Sequence, residues 1–122
     1  MLEVIYEYML HQSADKFPRI GVTNFGSTNT TMQWFRQPAE STHFMLRKFE
    51  IQAQGHIGLH SHPEEHQIYI LKGPILLVDS ENHETEVQTD EFVYCPPHEV
   101  HGYRNPNSFT VSFLCGIPKL NS

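Results

Sequence analysis

Beyond residue 31, hydrophobic and aromatic residues come in short runs separated by polar, proline or glycine residues. Runs of this kind, rich in Val, Ile, Phe, Tyr and Leu and bounded by turn residues, are typical of β-strands. The pattern predicts strands at 32–36, 43–53, 66–72, 75–79, 85–88, 91–95 and 110–117. Many short strands at regular spacing indicate an all-β sandwich or barrel.

Alternation along two of these strands predicts which side chains face the interior, because successive residues of a strand point to opposite sides. The set predicted to face inward comprises Met45, Arg47, Phe49, Ile51, Val111, Phe113 and Cys115. Arg47 would then be a lone charge inside a small barrel, unless it pairs with an acidic residue at the rim.

The first thirty residues have a different pattern. Apolar residues at positions 2, 5, 6, 9 and 10 are compatible with a short amphipathic helix or with a strand. Residues 13–31 are rich in Asn, Ser, Thr and Gly and predict a loop with one short strand. We therefore divide the chain into an N-terminal arm, 1–30, and a β-barrel domain, 31–122. The core of so small a domain is modest, so we expect a homodimer.

Composition excludes several functional classes. The chain has 122 residues and a net charge of −6 without any basic block, so we expect no nucleic-acid partner. No hydrophobic run approaches transmembrane length and the N-terminus does not resemble a signal peptide, so we expect no membrane partner and a cytoplasmic location. Cys95 and Cys115 could form one disulfide, but in that compartment reduced thiols are expected.

Histidine is the residue type in excess, with nine against eight lysines and arginines together. His60 and His62 are two positions apart, so both imidazoles can lie on one face of an extended strand, and His66 has the same parity. His101 follows the break at Pro96-Pro97 and can approach them from a second strand. The four histidines predict a metal site. A neutral histidine that contacts a ligand, and not the ion itself, would also fit the position of His66. The remaining histidines are expected on the surface: His11, His43, His56, His83 and His98.

These two segments together resemble the two motifs of the cupin superfamily. The first motif is matched by Gly55, His60, His62, His66 and Gly73, and the second by Pro96, His101 and Asn105. Asp90 and His98 stand where the second motif has glycines. The resemblance spans about residues 55–105 and implies a double-stranded β-helix, the jelly-roll barrel of cupins.

His66 stands where many cupins have a glutamate, and in this respect the chain is similar to small manganese cupins with an all-histidine site. That likeness implies one divalent transition metal ion per chain, with Mn favoured and Fe, Ni, Cu or Zn possible. It also implies that Arg47, Ile57, Phe113 and Cys115 line a substrate pocket. Phe113 could equally be core packing, and Cys115 an inert core thiol.

Four neutral imidazoles leave the charge of the ion uncompensated, and an octahedral site would keep two positions open. The favoured hypothesis is a metal-dependent oxygenase acting on a small phenolic or enolic compound. A second hypothesis is a non-redox cupin isomerase or lyase with a sugar-acid-like substrate. A third is a small-molecule binding module without catalysis. Oxygen consumption would support the oxygenase, and activity that survives replacement of the metal by zinc would support the non-redox cupin.

Overall fold

The computed structural model of the protein describes residues 9–120, which form nine strands and three short 3-10 turns. Each predicted strand overlaps an observed one. The strands are β1 Ile20–Gly21, β2 Thr28–Trp34, β3 Phe44–His60, β4 His66–Lys72, β5 Ile75–Val78, β6 Glu84–Val87, β7 Phe92–Cys95, β8 His101–Arg104 and β9 Val111–Pro118. The turns are Ala14–Lys16, Asn24–Gly26 and Pro38–Glu40. Within residues 9–120, no helix is long and apolar enough to cross a membrane.

All strand pairs are antiparallel and belong to one curled sheet. The order along the sheet is β6-β5-β8-β3-β9-β4-β7, with β2 also paired to β3 and β1 to β2. Strands far apart in sequence are therefore neighbours, as in a jelly-roll barrel. The all-β prediction is confirmed.

Strand β3 is longer than predicted. The sequence predicts an end at residue 53, before Gln54-Gly55, but the strand continues to His60. At this point it changes partner: Ile51 pairs with Val111 of β9, and His56 pairs with Arg104 of β8. Gln54 adopts a left-handed backbone conformation, with φ at 62°. The pair Gln54-Gly55 thus marks a bend and not an end, because β3 has a second pairing partner, β8, beyond it.

The core lies on the concave side of the sheet, and the predicted inward faces are confirmed. All members of the predicted inward set except Arg47 are buried. The main cluster is Phe49, Ile51, Ile57, Ile68, Ile70, Ile75, Val87, Tyr103, Val111, Phe113 and Cys115. Cys95 and Cys115 are both buried free thiols.

Asn105 of the second motif fastens the turn after β8 to the bend of β3. Its buried side-chain amide donates hydrogen bonds to the carbonyl oxygens of Ile51, Gln52 and Phe109, at 2.9, 3.1 and 2.7 Å. Its Oδ1 accepts from the backbone N–H of Asn107 at 2.9 Å. Buried amides with all groups satisfied specify one arrangement of the surrounding chain. Asn105 therefore helps to fix β8 relative to β3.

Part of the predicted N-terminal arm packs on the sheet. Strand β1 pairs with β2, and β2 pairs with β3. The side-chain amide of Gln33 donates to the carbonyl oxygens of Ala14 and Phe17, at 2.7 and 3.0 Å. The helix or strand predicted over residues 2–10 falls outside the described residues, except for Met9 and Leu10, which have no regular structure. The boundary after residue 30 stays a prediction.

Candidate metal centre

Three histidines converge where β3 ends and β8 begins. His60 is the last residue of β3 and pairs directly with His101, the first residue of β8. His62 lies in the loop that follows β3, so it is not on the strand as the spacing suggested. One ligand atom from each of His60, His62 and His101 lies within 4.8 Å of the other two. This separation is short enough for one ion to reach all three.

Backbone carbonyl groups orient these three imidazoles. The Nδ1 atoms of His60, His62 and His101 lie 2.7, 2.8 and 2.8 Å from the carbonyl oxygens of Gly58, Glu64 and Glu99. A carbonyl oxygen only accepts, so each Nδ1 carries the proton and each Nε2 keeps a free lone pair. Nε2 of His101 is buried without a hydrogen-bond partner. Histidine ligands of metal ions have this arrangement, and the residues fit a divalent transition metal ion.

Burial favours the neutral form of two of these imidazoles, those of His60 and His101. Burial, together with the neighbouring His60 and His62, lowers the pKa of His101 to about 4. Burial also lowers the pKa of His60 below its usual value. Since only a neutral imidazole offers a lone pair, these shifts favour metal binding at neutral pH.

His66 lies beside the cluster but has a different partner. It begins β4, and its ring centroid is 4.3 Å from that of His62 and 5.2 Å from that of His101. Its Nε2 lies 3.3 Å from Nη2 of Arg47, and its Nδ1 is buried without a partner. Burial, followed by the charge of Arg47, lowers its pKa to about 2. The structure thus brings His66 near the other three, and its role as a fourth ligand stays a prediction.

Arg47 stands between two aromatic rings on the inner side of β3. Its guanidinium lies over Trp34 at 5.4 Å and over Phe49 at 4.9 Å, measured to the ring centroids. Nη2 also donates to Sγ of Cys115 at 3.2 Å. Among the residues described, no carboxylate forms an ion pair with it, so the rim salt bridge is not observed within residues 9–120. The cation is oriented by aromatic faces, and no described carboxylate neutralises it.

The cluster opens into a cavity of about 570 Å³. Its wall includes His60, His62 and His66, together with all four residues predicted to line a pocket: Arg47, Ile57, Phe113 and Cys115. Contact between these four and a substrate stays a prediction. Burial raises the pKa of the Cys115 thiol, which is consistent with an unreactive thiol.

Sequence reasoning missed several residues of the cavity wall. Phe25, Trp34, Glu64 and Tyr103 all contribute to it. The backbone carbonyl oxygen of Glu64 also orients His62. Trp34 is the only tryptophan in the chain, and this is the one sequence feature that could have marked a residue of the cavity wall. The position of Phe25 depends on a tertiary contact that no local pattern reveals.

Comparison with known families agrees with this geometry. The family description "Cupin domain" matches residues 47–117, which is more than half of the chain and includes all four histidines. The chain belongs to the cupin family. The jelly-roll barrel expected from the two motifs is thereby confirmed. Members of the family commonly bind a divalent metal ion.

Solved cupin structures superpose on most of the chain. The polyketide cyclase RemF from Streptomyces resistomycificus is 28% identical, with a TM-score of 0.84, and the match covers 93% of this chain and 81% of RemF. A cupin-2 domain protein from Rhodospirillum rubrum is 20% identical, with a TM-score of 0.74 and coverages of 98% and 80%. A predicted oxalate decarboxylase from Thermotoga maritima is 18% identical, with a TM-score of 0.77 and coverages of 91% and 100%. The last two similarities support the fold alone. No curated protein gives a significant match.

Proposed function

We propose that this cupin is a metal-dependent enzyme acting on a small phenolic or enolic compound. The observation that carries the proposal is the convergence of His60, His62 and His101, two of which, His60 and His62, line a cavity of about 570 Å³. His66 is the proposed fourth ligand. A divalent ion held there would supply Lewis acidity to an oxygen of the substrate.

The rest of the cavity suits an organic anion with a flat apolar body. Its wall contains the aromatic side chains of Phe25, Trp34, Phe49, Tyr103 and Phe113. Arg47 is the cation among them and has no carboxylate partner within residues 9–120, so it can pair with an enolate or phenolate oxygen. An apolar pocket with a few convergent polar groups is the usual form of a small-molecule site.

For the reaction, we propose ring closure of an enolisable polyketone without oxidation. The similarity to the polyketide cyclase supports this class, because that structure is 28% identical over 93% of the chain. In such a closure, an enolised carbon bonds to a ketone carbon of the same molecule. The α-carbon loses a proton, the ketone oxygen gains one, and water leaves when the ring becomes aromatic. The step needs no oxidant.

The test is an anaerobic incubation of zinc-loaded protein with a linear β-triketone, which closes to a resorcinol with loss of one water. We expect resorcinol formation above the rate of free zinc, because zinc supplies Lewis acidity without a redox change. His101→Ala should abolish the enhancement, and His83→Ala, at an exposed position, should keep it. No enhancement over a panel of such triketones would contradict the cyclase.

The oxygenase predicted from the sequence is the second candidate. The donor set favours it, since an all-imidazole site leaves the full charge on the ion and suits redox-active metals. Oxygen uptake with manganese or iron, absent with zinc, would support this candidate. Tight binding of a compound that is recovered unchanged would instead support the binding module.

Three further expectations stay open as proposals: the identity of the ion, the cytoplasmic location and the homodimer. We propose manganese as the native ion, which elemental analysis of protein purified without a histidine tag tests. The homodimer is tested by light scattering of the full chain, where a monomeric mass at micromolar concentration would contradict it.

A further inference from the structure

The turn Asn24–Gly26 brings an aromatic ring onto one of the three histidines. The ring of Phe25 lies parallel to that of His60, with centroids 4.4 Å apart and an interplanar angle of 7°. Phe25 nevertheless stays 54% exposed, and it forms part of the cavity wall. A large aromatic side chain beside the cluster thus retains surface that a ligand can contact.

Phe25 occupies this place at a conformational cost. Its φ is 59°, in the left-handed region, where a bulky side chain is an outlier. Such conformations persist when the surroundings determine them, and they are concentrated at functional sites. An asparagine would suit this backbone better, since its short polar side chain tolerates the left-handed region.

Gly58 links this turn to His60. A Cβ at Gly58 would overlap the carbonyl oxygen of Phe25, so only glycine lets the turn approach β3 so closely. The backbone N–H of Gly58 donates to Oγ of the buried Ser27 at 3.1 Å. The carbonyl oxygen of Gly58 accepts from Nδ1 of His60. The same residue therefore holds the turn and orients the imidazole.

We propose that Phe25 is a specificity-determining residue, whose ring stacks on His60 with one face and offers its other, exposed face as a platform on which a flat aromatic ligand stacks. This inference rests on the proposed function, because it assumes a ligand next to the ion. Among phenolic and enolic compounds, the ring of Phe25 would favour extended aromatic ligands over small aliphatic ones. The stacking contact should be worth about fivefold in affinity.

The test compares two ligands that both chelate through two oxygens but differ in flat aromatic area: naphthalene-2,3-diol and acetylacetone. Their binding to zinc-loaded protein is measured by calorimetry. Phe25→Asn removes the ring and relieves the backbone, whereas Phe25→Tyr keeps the ring. Phe44→Leu is the matched control, because Phe44 is exposed at the start of β3 and does not line the cavity.

We expect Phe25→Asn to bind naphthalene-2,3-diol about fivefold more weakly, with acetylacetone affinity within about twofold and thermal stability unchanged or higher. Phe25→Tyr and Phe44→Leu should bind both compounds as the wild type does. Equal affinity of Phe25→Asn and wild type for the diol, or an equal loss for both compounds, would overturn the platform. Wild-type protein that binds neither compound would contradict the proposed function itself, before any variant is made.

Discussion

Nη2 of Arg47 lies 3.3 Å from Nε2 of His66, and this contact joins the lone cation of the cavity to the histidine beside the cluster. Because a guanidinium only donates, Nε2 of His66 is the acceptor. Through Nε2, His66 either accepts this hydrogen bond or binds an ion as a fourth ligand. Arg47, His60 and His62 line the same cavity, so the guanidinium lies close to the proposed metal site and to any anion bound in the cavity.

Replacing Arg47 by Met should show separately how Arg47 affects the binding of an anion and the binding of the ion. The variant keeps an apolar side chain between Trp34 and Phe49 but removes the charge. We expect zinc-loaded Arg47→Met to bind acetylacetone, as its enolate, about tenfold more weakly or worse, because a charge-assisted hydrogen bond is lost. Zinc affinity should be unchanged or higher, since a positive charge near the ion is removed. Calorimetry measures both affinities.

Arg19 supplies the matched control, because it is partly exposed and pairs with Glu50 and Asp15. Arg19→Met should leave both affinities unchanged. An Arg47→Met protein that binds acetylacetone as tightly as the wild type would show that Arg47 does not bind the anion.

The buried imidazoles predict how the stability of the metal-free protein depends on pH. Burial lowers the pKa of His66 to about 2 and that of His101 to about 4, whereas both titrate near 6.5 in the unfolded chain. Below pH 6.5 the unfolded state binds protons that the native state does not, so stability falls as pH falls. Between pH 7.5 and 5.5 the two residues should cost about 2–3 kcal/mol in the free energy of unfolding.

Urea unfolding in the presence of a chelator measures this change. The double variant His66→Gln, His101→Gln should lose most of the pH dependence over this interval. His11→Gln should keep it, because His11 is exposed. A metal-free wild type equally stable at pH 7.5 and 5.5 would be incompatible with neutral buried imidazoles.

At the two positions where the second cupin motif has glycines, the backbone keeps the left-handed conformation that glycine favours. Asp90 and His98 have φ angles of 67° and 65°, both left-handed. The backbone N–H of His98 donates to the carbonyl oxygen of His62 at 2.8 Å, a bond that does not depend on the side chain. Relief of the backbone in His98→Gly should stabilise the protein by about 0.5–1 kcal/mol.

Differential scanning calorimetry checks this prediction. His83→Gly provides the comparison, since His83 is exposed and lacks a positive φ. That variant should be destabilised or neutral, because glycine there adds freedom to the unfolded chain and removes the imidazole that pairs with Asp79. A His98→Gly protein less stable than the wild type would mean that the imidazole of His98 makes a stabilising contact.

Local sequence patterns were sufficient to predict the features of the fold that depend on residues close together in the chain. Runs such as 66–72 and 110–117 have the composition and alternation of half-buried strands, and the structure has strands there. The spacing of His60, His62 and His101 likewise implied a cluster, although His62 joins it from the loop after β3 and not through strand alternation. The inward position of Arg47 followed from alternation along β3.

The remaining features depend on contacts between distant segments. Strand β3 passes through Gln54-Gly55 because β8 offers a partner beyond the bend, and no local pattern contains that information. The stacking of Phe25 on His60 depends on the absence of a Cβ at Gly58, 33 positions away in the chain. His98 and Asp90 show that glycine geometry can persist without glycine. The bond from Arg47 to His66 joins two strands that do not pair with each other.

The proposed metal centre holds one divalent ion per chain on His60, His62 and His101. The most direct test is elemental analysis of protein purified without a histidine tag, comparing the wild type with His60→Ala, His101→Ala and the exposed control His83→Ala. We predict about one equivalent of a transition metal in the wild type and the control, and almost none in the other two variants. Stoichiometric metal in both His60→Ala and His101→Ala would contradict this metal centre.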